Sequence, residues 1–221
     1  MRLQMNLAIA ALVFGAASAT SGAVVTVDND NGVASAGNAT FGRQEFTPSI
    51  AGTGTNDSVA ANSPLPPTVY LETVTFRGRT NTTGGSTGPL FLDIYAGSGD
   101  AGTYIGSSSN ALTISGAGDN TPLVFSFASL PLDSSTLYSI VASPDAVAGN
   151  SGTFRVEASD AVAGTPATSS YAGGTSSGTV NGASLAFDAK FQATFNTVPE
   201  PTGIAVIAMA GLGLLARRRR A

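Results

Sequence analysis

The sequence predicts an all-β fold, a two-layer antiparallel β-sandwich with an N-terminal signal helix and a short C-terminal transmembrane helix. Apolar residues between the two ends recur in short alternations, not at helical spacing, and a period of two marks a half-buried strand. Gly, Asn, Asp, Ser and Pro interrupt those alternations about every 8 to 12 residues, the rhythm of a sandwich. Each end carries an uncharged apolar run with arginine on its outer side.

In chain order, Ala23 to Val27 begins the domain and Thr40 to Phe46 comes next. Val69 to Arg77 sets Val74 and Phe76 on one face. Leu90, Leu92 and Ile94 alternate with Phe91, Asp93 and Tyr95. Short strands fit at Thr103 to Ile105 and Ala111 to Ile114. Leu123, Phe125 and Phe127 form one inward set; Tyr138, Ile140 and Ala142 form another. Phe154 and Val156 alternate with Arg155 and Glu157. Leu185 to Phe195 reads as one long strand, with Leu185, Phe187, Ala189, Phe191, Ala193 and Phe195 inward and Asp188 and Lys190 outward. This makes about nine or ten strands. Pro48 to Pro67 and Ala161 to Gly182 read as loops, rich in Gly, Ser, Thr, Asn or Pro.

The 221 residues suit one domain with two processed ends, the domain spanning 24–196. Charged residues make up 11% and hydrophobic ones 43%, enough apolar surface for a core. With no Cys there is no disulfide framework. Between residues 20 and 200 five basic residues face 14 acidic ones, a net charge of −9. That balance argues against nucleic acid as a partner, because phosphates require clustered Lys and Arg.

Residues 1–23 read as a secretory signal peptide. Arg2 starts it, Leu7 to Ala17 is its apolar stretch, and Ala17-Ser18-Ala19 offers a cleavage site before Thr20, with Ser21-Gly22-Ala23 as the alternative. Residues 197–221 form a second signal: Pro199-Glu200-Pro201, then the uncharged run Gly203 to Ala216, then Arg217, Arg218, Arg219 and Arg220. As a helix the run covers about 21 Å, short for a bilayer unless the arginine stems snorkel at its edge. Each Arg costs about 2.5–3.5 kcal/mol at mid-bilayer, so the four act as a stop and fix the terminus on the cytoplasmic side.

This order resembles the PEP-CTERM sorting signal of bacterial surface proteins, over Val198 to Arg220. The resemblance implies a membrane-embedded processing enzyme, an exosortase, that recognises the triplet and removes the tail. It also implies passage through the secretion machinery and signal peptidase. A transient inner-membrane stage comes next, then delivery to the cell surface or extracellular space, commonly with exopolysaccharide. The competing reading of the tail is a single-pass anchor that is never cut. A second resemblance bears on topology alone. Leu92-x-Ile94-Tyr95, Gly102-Thr-Tyr-Ile-Gly106, Phe125-Ser-Phe127 and Thr136-Leu-Tyr138 are similar to jelly-roll domains of anchored bacterial surface proteins.

Catalytic side chains are scarce. With no His and no Cys, neither a nucleophile–histidine site nor the usual zinc ligands can be built. Lys190, the only lysine, sits on an outward face by its alternation. A glycosidase-type pair needs two carboxyl groups roughly 5–9.5 Å apart; Glu72 and Asp93 lie on strands that could be neighbours, although outward carboxylates on an antiparallel sheet are ordinarily just solvated. Asp28-Asn29-Asp30-Asn31-Gly32 offers Asp28 and Asp30 as a calcium candidate, departing from the EF-hand loop in its Gly position and its twelfth residue; a polar turn after the first strand is the plainer reading. No cofactor is implied. Of five tyrosines, Tyr95 is expected to point away from Leu92 and Ile94, exposed, as a glycan contact. The expected function is a non-enzymatic, structural or adhesive surface or matrix protein. The alternatives are a carbohydrate-binding module and, behind it, a carboxylate-dependent glycan hydrolase.

Overall fold

The computed structural model describes residues 22–30, 39–78, 89–113, 120–144, 154–157, 171–173, 176–180 and 183–198. Most of the signal segment, the Pro199-Glu200-Pro201 triplet, the apolar run and Arg217–Arg220 lie outside the described residues. Among the described residues no helix is long and apolar enough to cross a membrane.

Among the described residues twelve strands form: β1 Val24–Asp28, β2 Ala39–Phe46, β3 Thr68–Gly78, β4 Pro89–Ala96, β5 Thr103–Ser107, β6 Leu112–Thr113, β7 Thr121–Asp133, β8 Tyr138–Ser143, β9 Phe154–Val156, β10 Ser176–Val180, β11 Ala183–Phe187 and β12 Phe191–Asn196. All their pairings are antiparallel. One layer runs β1-β12-β3-β7. The other runs β11-β10-β2-β8-β4-β5. β9 continues the β8 side along the start of β2, and β6 pairs with the start of β4. The layers touch in strand pairing at one corner, Gly78 opposite Val156. The chain changes layer repeatedly, so the last strand, β12, lies between the first and third.

The inward faces pair as alternation dictates. Val25, Val27, Leu71, Val74, Phe76, Phe125, Phe191 and Phe195 of one layer meet Phe41, Phe46, Leu90, Leu92, Ile94 and Ile140 of the other, all buried. Aromatic rings bridge the layers: Phe41 and Phe76 centroids are 4.6 Å apart, Phe46 and Phe195 6.1 Å. Each such buried ring contributes about 1.5–3 kcal/mol relative to exposure. Burial and sheet hydrogen bonding do the work that disulfides do elsewhere.

Three expectations are corrected. The long strand from Leu185 to Phe195 is broken at Asp188–Lys190 into β11 and β12. At the break Ala189 is held by side chains from both layers: its N–H donates to Gln44 Oε1 (2.9 Å) and its C=O accepts from Asn29 Nδ2 (3.2 Å). Lys190 is not outward. Its side chain is 3% exposed and its Nζ lies 2.8 Å from Glu157 Oε2, itself 6% exposed. Glu157 is brought to Lys190 by β9, which meets the end of β3 at Gly78, and periodicity within one strand does not report that pairing. A ring of backbone bonds locks the site: Arg77 N–H to Lys190 C=O, Lys190 N–H to Glu157 C=O, and Glu157 N–H to Arg77 C=O.

Of the two expected loops, Pro48 to Pro67 carries no strand, whereas Ala161 to Gly182 contains β10. Residues 52–58 lie against the outer edge of β1. Thr26 N–H donates to Ser58 Oγ and Asp28 N–H to Asp57 Oδ2, while their carbonyls accept from Ser58 and Gly54 N–H. An open edge invites pairing with another chain, and here the chain supplies its own cover. At the far edge of the same layer Asn110 does likewise for β7, accepting from Ser126 N–H and donating to Val124 C=O. Within the second expected loop, 161–182, Tyr171 is buried against Phe191 (5.5 Å, edge-on), and β10 forms at its end.

Candidate functional site

The β4–β5 hairpin builds the most distinctive polar surface. Its turn uses Gly97 and Gly99 at φ of 99° and 70°, a region that side chains with a Cβ seldom enter. Gly99 N–H donates to Ser139 Oγ (2.6 Å), and that hydroxyl donates to Gly97 C=O (2.8 Å). The turn is therefore pinned to β8.

β5 then carries a bulge. Tyr104 stands opposite Tyr95 and Gly106 opposite Ile94, so Ile105 is the extra residue. A bulge re-aims the side chains beyond it. In a regular strand Tyr104 and Ser107, three apart, would face opposite ways; here both share the face away from the core. Ser107 Oγ donates to Asp93 Oδ1, and the Tyr104 hydroxyl lies 2.6 Å from Ser107 Oγ. Since the serine proton goes to the carboxylate, Tyr104 donates to Ser107. The tyrosine oxygen keeps its lone pairs for another partner. The Tyr95 and Tyr104 rings meet edge-on with centroids 5.6 Å apart.

Register continues this outward face across four strands, where it is buried except at Arg43, Ser107 and Tyr104. One row is Glu45, Ser139, Tyr95, Tyr104; the next is Arg43, Val141, Asp93, Ser107. Three strand spacings make each row about 14 Å long. Arg43 Nη2 lies 3.9 Å from Glu45 Oε1, which also accepts from Ser98 Oγ.

Tyr95 departs from expectation. It does point away from the core, yet it is only 2% exposed. Tyr104, 37% exposed, is the ring that reaches solvent. Sequence alternation missed it because the bulge decides its direction.

The expected carboxylate pair does not assemble. Glu72 lies on β3 at a bulge opposite β7, where its Oε1 accepts from Ser129 Oγ (2.8 Å). Asp93 belongs to the other layer, so their strands are not neighbours. Asp28 and Asp30 do sit together, in an Asx turn after β1 that is tied to residues 52–58. Asp28 ends β1 fully buried; its Oδ1 accepts from Asp30 N–H and its Oδ2 from Asn56 N–H, each at 2.8 Å. Asp30 Oδ2 is 2.7 Å from Arg77 Nε. Gly52 and Gly54 allow this close packing: a Cβ on Gly52 would stand 1.9 Å from Asp28 C=O, and on Gly54 2.3 Å from its carboxyl carbon. These carboxylates organise the edge cover of β1. Among the described residues no group of three or more Asp or Glu is placed to hold a metal ion.

Tyr171 ties 171–173 to the turn after β2. Its hydroxyl faces Thr47 C=O (3.1 Å) and accepts from Thr47 N–H (3.2 Å). Burial pushes its pKa well up, Thr47 opposes this, and the charges of Asp57 and Asp188 add to the rise.

In comparison with known proteins, the chain matches no family model and no curated protein.

Proposed function

We propose that this chain is an exported, non-enzymatic protein of the cell surface or extracellular matrix, sorted by an exosortase-like enzyme and associated with exopolysaccharide. The observation that carries the reading is the C-terminal order: Pro199-Glu200-Pro201, an uncharged run, four arginines. Positive charge holds the terminus inside while the sandwich sits outside. The fold is compatible with such handling. Thr197 N–H donates to Ala23 C=O and Ala23 N–H to Thr197 Oγ1, so the start and finish of the sandwich share one end. From Thr197, two residues reach Pro199, at most about 7 Å of chain. The winding we infer is a jelly roll, supported by β1-β12-β3-β7 facing β2-β8-β4-β5.

The test is intact mass of the protein recovered from the surface fraction and from the inner membrane. A surface form lacking residues 203–221, and Glu200→Ala trapping the uncut chain in the inner membrane, are the expected results. A surface form that retains 203–221 would rule out removal of the tail.

The second reading, a carbohydrate-binding module, is favoured by the fixed Tyr104 ring beside Ser107 and Asp93.

A further inference from the structure

We infer that residues 22–23 clamp the chain just ahead of Pro199-Glu200-Pro201, so that the choice of signal cut sets how readily the tail is removed. A cut after Ala19 leaves the clamp on; a cut after Ala23 takes it away. The inference rests on the sorting reading proposed above and adds a control on it.

The clamp sits where the chain enters and leaves the sandwich. β1 and β12 pair as far as Val24 opposite Asn196. Residues 22–23 continue the contact beyond that pair. Thr197 N–H donates to Ala23 C=O (3.1 Å), and Ala23 N–H donates to Thr197 Oγ1 (2.9 Å). Gly22 then lies against Val198: a Cβ there would stand 2.7 Å from Val198 N and 2.6 Å from its Cγ2. A residue without a side chain permits that approach. Gly22, Thr197 and Val198 are half-buried.

A processing enzyme needs chain free of the fold beside the bond it cuts, and backbone held by hydrogen bonds must open first. With the clamp on, Val198 is the last held residue and the triplet begins one residue later, about 3.5 Å of chain. Without residues 22–23, Asn196 is the last held residue, and three residues, about 10 Å, reach Pro199.

The two candidate signal cuts differ in these groups. Cutting at Ala17-Ser18-Ala19 keeps Gly22 and Ala23; cutting at Ser21-Gly22-Ala23 removes both. Each lost hydrogen bond shifts the opening equilibrium about two- to tenfold. Cleavage of a segment that opens and closes quickly follows its open population.

The first arm of the test compares two chains purified in detergent, one running from Thr20 and one from Val24, both to Ala221. Hydrogen exchange at the Thr197 amide is expected to be about tenfold faster in the chain that starts at Val24, with exchange at the core residue Ala193 equal in both. The second arm follows loss of residues 203–221 by intact mass after a pulse of synthesis in producing cells. Ala19→Leu forces the cut after Ala23 and Ala23→Leu forces the cut after Ala19, because a small residue must precede the cut. Ala23→Leu keeps both main-chain bonds. Gly22→Ala opens the clamp by collision with Val198 and carries the comparison where Ala19→Leu blocks export. Faster loss of the tail from Ala19→Leu and Gly22→Ala than from Ala23→Leu is expected. Equal exchange at Thr197 in the two chains overturns the inference. So does equal tail loss from these variants while Glu200→Ala blocks it, and in that case the sorting reading stands. If the parent itself keeps residues 203–221, the sorting reading fails and the inference fails with it.

Discussion

Replacing Lys190 by Met tests how the buried ion pair contributes to the fold. Met keeps the length and apolar stem of the side chain and removes the ammonium. The Glu157 carboxylate, 6% exposed and 2.8 Å from Nζ, would then lose its cation in a site that water hardly reaches. Breaking one side of a buried pair costs about 3–5 kcal/mol, because the remaining charge stays desolvated. For a domain of this size each kcal/mol lowers the midpoint by about 2–4 °C, so a fall of roughly 6–20 °C is expected. The backbone ring joining Arg77, Glu157 and Lys190 uses only main-chain groups, so it survives the substitution and the effect belongs to the side chains. The companion is Lys190→Met with Glu157→Leu, which removes both charges and fills the space. Buried pairs replaced by apolar residues are commonly neutral or better, so the double variant should return to within about 1 kcal/mol of the parent. Urea unfolding followed by circular dichroism and tyrosine fluorescence measures all three. A single variant costing under about 1 kcal/mol would refute the claim that the pair is desolvated in solution. A double variant as unstable as the single would show that the charges serve a wider network.

Gly52→Ala should pry residues 52–58 from β1, since its Cβ would collide with the Asp28 carbonyl; a loss of about 1–3 kcal/mol, with faster hydrogen exchange at the Thr26 and Asp28 amides, is the expected outcome. Asn110→Ala should uncover the β7 edge at Ser126 and Val124, and light scattering on standing should rise relative to the parent. Tyr171→Phe should cost about 1–3 kcal/mol at neutral pH by stranding the Thr47 groups. It should also flatten the alkaline stability profile. The folded pKa of Tyr171 is raised above the ordinary value of 10.0, so its contribution is whole below pH 10 and is lost as pH rises beyond it toward the folded pKa. Equal slopes for parent and variant above pH 10 would count against the buried hydroxyl.

Much of the fold is set by local pattern. Nine of the strands lie where alternation puts them, and the inward sets at Leu90–Leu92–Ile94, Leu123–Phe125–Phe127 and Tyr138–Ile140–Ala142 are the core. The site was less legible. Tyr95 was the expected contact, and the bulge at Ile105 hands that exposure to Tyr104.

By itself the sequence determined the fold class and the apolar, arginine-flanked runs at both ends, because side-chain period and uninterrupted hydrophobicity are properties of adjacent residues. Tertiary structure alone decided that Lys190 is buried, that residues 52–58 cover an edge, and that Glu72 and Asp93 lie in different layers. Each of those depends on which distant segment packs alongside, and one strand's alternation carries no record of its neighbours.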